Sequence, residues 1–217
     1  MPVIDLAALF ALELRTPRLL LRLGDEDEVR ALARLAQRGI HPPEEMPFSV
    51  AWSDGIGSPS FLDEFVAFHR EQLGAWRPHD WSLNLLVWHG DELVGSQSLR
   101  AELFAEEREV ATGSWLGRAF QRRGLGTEMR AAVLELAFRD LGAQAATSAW
   151  LEGNEASRRV SARLGYSETH TTVSSPRGVP VVAHTVRLER SSWRCPVPVR
   201  SEGLPACLPL FGLPAAG

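Results

Sequence analysis

The sequence predicts a mixed α/β fold, and three observations carry that expectation. Apolar residues alternate with strand period in some segments and recur at helical spacing in others, from residue 1 to about 190. His89-Gly90-Asp91 joins two strand-like runs and reads as a hairpin turn. Later strands are separated by single helical segments, which supply crossovers. Hairpins and crossovers together require a sheet of mixed strand direction.

In chain order, Glu13–Leu23 reads as a strand interrupted at Pro17. Asp25–Gln37 reads as a helix. Val29, Leu32, Ala33, Leu35 and Ala36 recur at helical spacing behind acidic residues suited to a helix N-terminus. Residues 39–57, punctuated by proline and glycine, read as a loop. Ser58–Trp76 is a second helix, with Phe61, Leu62, Phe65, Val66 and Phe68 on its apolar face. Trp81–His89 and Glu92–Leu103 are the hairpin strands, and Glu109–Gly117 is a further strand. Gly126–Leu141 carries the clearest helical pattern, with Met129, Ala132, Val133, Leu136 and Ala137 on one face. Glu128, Arg130, Glu135 and Arg139 are expected to face away, and Gly142 ends the helix. Gln144–Leu151 is a strand, and Asn154–Leu164 is a short helix that Asn154 caps and Gly165 stops. Two last strands, 166–174 and 181–189, flank a turn at Pro176-Arg177-Gly178. The expected total is about seven strands, mostly antiparallel, and about four helices.

With 217 residues and 45% hydrophobic content, the chain supports one sizeable core. A formal net charge of −4 leaves no basic field for phosphate neutralisation, which argues against a nucleic-acid partner. No apolar run of about 18 residues is present to span a bilayer, so no membrane partner is expected. The opening residues, with Asp5 and Glu13 and no positive leader, do not read as a signal peptide. Cys195 and Cys207 lack metal-ligand spacing and are too few for a disulfide framework. No metal site is expected, and a cytoplasmic location is. Residues 191–217 carry prolines at 196, 198, 205, 209 and 214. That density forbids a regular helix or a central strand. These residues are expected to form a tail, disordered or draped on a surface, beyond a domain spanning residues 1–190.

The segment that carries chemistry runs from Trp115 to Thr127. A strand ends at Trp115-Leu116-Gly117, a loop follows with glycines at 124 and 126, and a long helix begins. Glycine lets backbone approach a ligand, the first amides of a helix lack partners, and the helix dipole adds positive potential. Arg122 and Arg123 add charge, so the expected ligand is a phosphate or pyrophosphate. No Gly-Lys-Ser/Thr follows, so the loop is not a P-loop, and the third glycine of a dinucleotide fingerprint is missing. Alone, the loop reads equally well as an ordinary glycine turn.

Gln121-Arg122-Arg123-Gly124-Leu125-Gly126 matches Gln/Arg-x-x-Gly-x-Gly/Ala, the signature of the GNAT acyltransferases, at every defined position. Asn154–Tyr166 looks like that superfamily's Asn-x-x-Ser helix closing in Leu-Gly-Phe/Tyr. Leu14–Arg22 and Gly113-Ser114-Trp115-Leu116 resemble the RimJ/RimL-type branch. The resemblance spans roughly residues 13–190. It implies a GNAT fold splayed at a cofactor cleft. It also implies an N-acyltransferase that moves an acetyl, or alternatively succinyl, group from acyl-coenzyme A to a primary amine by direct attack. The implied acceptors are a protein N-terminus, a lysine or a small molecule. The pyrophosphate would lie on the amides of Arg122, Arg123, Gly124, Leu125, Gly126 and Thr127, beside Gln121. The pantetheine arm would pair with the backbone around Trp115, Leu116 and Gly117, and Asn154 would hydrogen-bond it. Ser157 looks like the residue that protonates the departing thiolate. The resemblance also raises the expectation of a homodimer or higher homo-oligomer.

Each assignment has a plainer alternative. Ser157 also reads as a first-turn residue with local hydrogen bonds, and Asn154 as an N-cap, a role compatible with ligand binding. Many relatives carry a glutamate where this strand reads Val110-Ala111-Thr112-Gly113. Glu109, on the same face as Ala111, is the candidate base; otherwise it is a solvated carboxylate at a strand end. His79, Asp80 and His170 rank behind it, and a water chain is the substitute. His41–Phe48 is expected to shape the acceptor groove, and Trp52, Trp76, Trp81 and Trp88 to be core or hairpin aromatics. The competing function is a non-catalytic module that binds coenzyme A as a sensor or assembly part.

Overall fold

The computed structural model describes residues 5–215. After a short helix α1 (Ala7–Phe10), strands β1 (Glu13–Arg15) and β2 (Leu19–Arg22) form a hairpin, and α2 (Glu26–Gln37) and α3 (Phe61–Gly74) follow. The next elements are β3 (Asp80–His89), β4 (Glu92–Glu102), the one-turn α4 (Phe104–Glu107) and β5 (Glu109–Leu116). Helix α5 (Leu125–Glu135), strand β6 (Ala145–Leu151), helix α6 (Glu155–Arg163) and strands β7 (Ser167–Ser174) and β8 (Val181–Glu189) complete the main zone. Strand β9 (Arg200–Glu202) and α7 (Leu204–Cys207) come from the proline-dense tail. The strands form one sheet in the order β7-β8-β6-β5-β4-β3-β2-β1-β9.

Every neighbouring pair is antiparallel except β5 and β6, which α5 joins as a crossover. Helices α5 and α6 cover one face, over a core that includes Leu83, Leu85, Leu99, Met129, Val133 and Phe138. Helices α2 and α3 cover the other face through Leu32, Leu35, Ile40, Phe61, Phe65 and Leu86. Helix α2 starts where the acidic first turn suggests: Asp25 accepts from the Glu28 amide at 2.8 Å, and the Glu28 carboxylate accepts from the Asp25 amide at 3.1 Å.

Three expectations change. Pro17 does not interrupt one strand but reverses the chain. The Thr16 amide donates to the Leu19 carbonyl at 2.9 Å, and Glu13 then pairs with Arg22. That hairpin and β9 raise the strand count from about seven to nine. Second, Glu128 and Arg130 do not face solvent; both are buried. Helix α5 is packed against β1, β2, β4, β5 and α6, so its flanks are covered as well as its apolar stripe.

Third, residues 191–215 are not disordered. Strand β9 pairs with β1 at the sheet edge, the position open to a proline-rich segment. Pro205 and Pro209 fall in the first turns of short helices, where no amide donor is needed. Phe211 is fully buried edge-on to Trp81 at 4.9 Å and Trp76 at 5.6 Å, and the Trp76 indole donates to the Leu210 carbonyl at 2.8 Å. The tail therefore seals the end of the main core. Phe211→Ala is expected to destabilise the protein by about 3–5 kcal/mol, because a cavity against two tryptophans has little room to collapse. Denaturant midpoints check this. An unchanged midpoint would show the tail to be dispensable to the core.

Candidate active site

The site begins with a parting of strands. Parallel β5 and β6 share three register pairs, Glu109↔Ala145, Val110↔Ala146 and Ala111↔Thr147, and then diverge. Hydroxyls seal the throat: Ser148 Oγ donates to the Thr112 carbonyl at 3.1 Å, and Thr112 Oγ1 to the Thr147 carbonyl at 3.3 Å. Strand β5 meanwhile stays paired with β4 as far as Gly95↔Leu116. The Gly117 amide donates to the Val94 carbonyl at 3.0 Å, which fixes the phase of the ladder. Residues 113, 115 and 117 thus turn their backbone groups to β4, and 112, 114 and 116 turn theirs to the gap. The strand edge without a strand partner is that of Ser114 and Leu116, where Gln121 Nε2 takes the Leu116 carbonyl and leaves the Leu116 amide and both Ser114 groups to the gap. Of the trio Trp115, Leu116 and Gly117, only Leu116 points its backbone into the gap.

The loop after β5 is held open from below. Gln121 Nε2 donates to the carbonyls of Leu116 at 2.9 Å and Ile40 at 2.7 Å, so this side chain braces the loop. Arg122 (φ 60°) and Gly124 (φ 80°) take left-handed conformations that turn successive amides outward. Among the described residues, no group accepts from the amides of Arg122, Arg123, Gly124, Leu125 or Gly126. The Thr127 amide is turned inward and donates to the Gly124 carbonyl at 3.2 Å. Buried Leu125 anchors the start of α5, while Arg122, Arg123 and Gly124 are exposed. Five unpaired amides at the positive end of a helix are a geometry that suits an anion.

The support beneath this loop is absent from the sequence-based expectations. The buried Glu128 carboxylate accepts from Thr16 Oγ1 at 2.6 Å and from Arg18 Nε at 2.7 Å, and pairs with Arg18 Nη2 at 2.5 Å. Arg18 Nη1 then donates to the Arg123 carbonyl at 3.1 Å. One arginine thereby ties the β1–β2 turn to both the loop and α5. A carboxylate in the first turn of a helix reads as a solvent-facing dipole partner. Its partner, 110 residues away, gives no periodic signal.

Helix α6 faces the gap from the other side. Asn154 Oδ1 accepts from the Ser157 amide at 3.1 Å, and Asn154 Nδ2 donates to the Pro47 carbonyl at 3.2 Å. Asn154 is therefore both the N-cap and a tie to the 39–57 loop. The half-buried Ser157 hydroxyl makes no side-chain hydrogen bond among the described residues. One turn on, buried Ser161 accepts from Arg130 Nη1 at 3.0 Å, and Arg130 Nη2 donates to Ser114 Oγ at 3.2 Å. Burial pushes the Arg130 guanidinium below its usual pKa. Burial likewise raises the Tyr166 phenol, against the opposing pull of Arg130.

On the opposite face, Trp115 joins Phe48, Trp52 and Phe65 in an aromatic wall, with Trp52 5.8 Å from Trp115 and 5.2 Å from Phe48. The 39–57 loop that carries this wall is tied to the β7–β8 turn by Arg177 and Asp54 at 2.5 Å. The Arg177 guanidinium holds the Asp54 carboxyl below the usual range. Trp76 and Trp81 are core residues as expected, and Trp52, part of the wall, packs against the core beneath α2 and α3.

Glu109 is not brought to the gap. It lies at the closed end of β5, ion-paired with Arg187, and lines a cavity of about 350 Å³ with Asp80, Ser82, Arg100 and Thr147. Four residues of strand separate it from Gly113, about 13 Å. His170 lies exposed on β7, two strands across from Ala149 of β6 through Thr185.

Comparison with known proteins places these features in a family. The model of the acetyltransferase (GNAT) domain matches residues 18–167. An acetyltransferase of the GNAT family from Bacillus anthracis superposes with a TM-score of 0.66 at 15% identity, covering 82% of this chain and 99% of that one. RimJ of Mycobacterium smegmatis, in complex with a coenzyme A disulfide, gives 0.63 at 18% identity, covering 84% and 88%. The ribosomal-protein acetyltransferase RimL, in complex with coenzyme A, gives 0.63 at 16% identity, covering 80% and 95%. Identities this low establish a shared fold.

If Arg18 shapes the anion loop, Arg18→Met is expected to weaken coenzyme A binding about five- to tenfold, or about 1–1.4 kcal/mol. Titration calorimetry checks this, and an unchanged Kd would mean that the loop holds itself.

Proposed function

Because the chain belongs to the GNAT acetyltransferase family, we propose that it transfers an acetyl group from acetyl-coenzyme A to the primary amine of a protein N-terminus. One observation carries this reading. The unpaired amides of residues 122–126 adjoin the unpaired strand edge of Ser114 and Leu116. A pyrophosphate on the first and an amide-bearing arm on the second is the shape of a coenzyme A thioester. The neighbours RimJ and RimL, both seen with coenzyme A or its disulfide, support the donor. RimL is named for modifying the α-amine of a ribosomal protein, which supports the acceptor class.

Each part of the chemistry has a place. Arg122 and Arg123 draw the diphosphate to the loop, and the strand edge aligns the arm so that its thioester reaches the throat near Ser114. The acceptor enters along the aromatic wall of Phe48, Trp52 and Trp115. Backbone at the strand edge supplies hydrogen bonds to the carbonyl oxygen as it gains charge. Ser157, with its free hydroxyl at the mouth of α6, donates a proton to sulfur. No carboxylate reaches the gap from β5, so the amine loses its proton to water.

Thiol release from acetyl- and succinyl-coenzyme A, tested with N-terminal peptides, lysine and polyamines, decides the reading. Turnover is expected with acetyl-coenzyme A and an N-terminal peptide. Arg123→Glu is expected to raise KM for the donor more than about tenfold with kcat little changed, as loss of uniform binding requires. Ser157→Ala is expected to lower kcat up to about a hundredfold. Coenzyme A binding without thiol release from any amine would favour a non-catalytic module.

A further inference from the structure

Arg130 is a buried cation with no anionic partner among the described residues. Its side chain leaves α5 five residues after Leu125, about 7.5 Å along the axis from the anion loop. Its guanidinium spans the space between the two halves of the site. Nη1 donates to Ser161 Oγ on α6 at 3.0 Å, and Nη2 donates to Ser114 Oγ on β5 at 3.2 Å. Nε is buried and has no partner among the described residues. The groups facing it are two hydroxyls and the nearby phenol of Tyr166. The nearest acid on the same helix, Glu128, is bound to Arg18. Burying a guanidinium costs several kcal/mol unless a counter-charge or full hydrogen bonding offsets it, and here neither is present.

The position says which anion completes it. Ser114 both turns its backbone into the gap and offers its hydroxyl to Arg130. An arm running from the anion loop past Leu116 ends over that residue, where Thr112 and Ser148 close the throat. We infer that Arg130 is the electrostatic partner of the coenzyme A sulfur, stabilising the thiolate that leaves during acyl transfer. In that step the amine lone pair forms the new C–N bond. The tetrahedral oxyanion then re-forms the carbonyl, and the C–S bond breaks with its electron pair on sulfur. The surplus proton on nitrogen passes to water, and Ser157 or solvent protonates the thiolate afterwards. A neutral thioester gains little from the cation and a thiolate gains much, so the stabilisation is differential and raises kcat.

The inference rests on the acetyl-coenzyme A reading, and the test separates the two. The thiol of bound coenzyme A is titrated by its thiolate ultraviolet absorbance in the wild type, Arg130→Lys and Arg130→Gln. Circular dichroism confirms that each variant is folded. In the wild type the bound thiol is expected to be about tenfold or more acidic than free coenzyme A in the same buffer. Arg130→Gln is expected to abolish that difference and to lower kcat about ten- to hundredfold with the donor KM changed less than about threefold. Arg130→Lys is expected to restore part of both. A wild-type complex whose thiol titrates like free coenzyme A overturns the inference, whatever the variants do. So does a change confined to the preference between succinyl- and acetyl-coenzyme A, which would make Arg130 a ligand for an acyl carboxylate. Loss of all coenzyme A binding by the wild type would instead remove the parent reading, and this inference with it.

Discussion

The structure depends on a pairing that stops early. Strands β5 and β6 hold together for three residue pairs and then part, which leaves the Ser114 backbone and the Leu116 amide without the strand partner a continuous sheet would supply, while Gln121 takes the Leu116 carbonyl. Unpaired strand edge invites another strand, and proteins normally cover it. Here it is left open inside a cleft that helix starts flank on both sides, so an extended ligand arm rather than a neighbouring chain is what fits. Helix α5 enforces the parting. As the crossover between the two strands, it lies against β5 and α6 together and holds the diverging halves apart.

Keeping such a gap open requires stiffness around it. The Glu128–Arg18 pair is half-screened on the arginine side, so its Coulomb energy is modest and its value is geometric. It fixes the Arg123 carbonyl, and with it the direction of the exposed amides. Gln121 does the same from the strand side, and the Asn154–Pro47 and Arg177–Asp54 ties hold the acceptor loop from two directions. The tail belongs to this scheme. By sealing Trp76 and Trp81 beneath Phe211, it stiffens the end of β3 and therefore the ladder that runs through β4 to β5. Preorganised donors are worth more than donors that a ligand must first arrange, because reorganisation is not charged to the bound state.

Much of this was legible in the residues. Helix α2, the β3–β4 hairpin, α5 and α6 follow from periodicity and capping chemistry, because those signals are local. The loop of unpaired amides between β5 and α5 followed from glycine placement and the helix start. What escaped is long-range polar pairing. Glu128 and Arg130 sit on the polar side of an amphipathic helix, and periodicity reads that side as solvent. Whether a flank is covered depends on α6 and on the β1–β2 turn, which no local window contains. The phase of the β5 ladder is a second case. Sequence placed the open edge near residues 115–117, but which alternate residues face the gap is set by the Gly117–Val94 bond to a residue 23 positions earlier. The tail is a third: its prolines exclude regular structure, yet they do not forbid short turns that bring Leu210 and Phe211 into a core.

The arrangement also says where the chemistry is lodged. No titratable carboxylate or histidine of the described residues stands in the throat between β5 and β6, and Glu109 is ion-paired at the closed end. The groups that do stand there are backbone amides, serine and threonine hydroxyls, the Tyr166 phenol and one guanidinium. An enzyme built this way takes its pH dependence from the acceptor amine, which must be neutral to attack, rather than from its own side chains. Catalysis by alignment and fixed charge asks for a rigid frame, and that is the frame the buried ion pair, the sealed core and the tied loops provide.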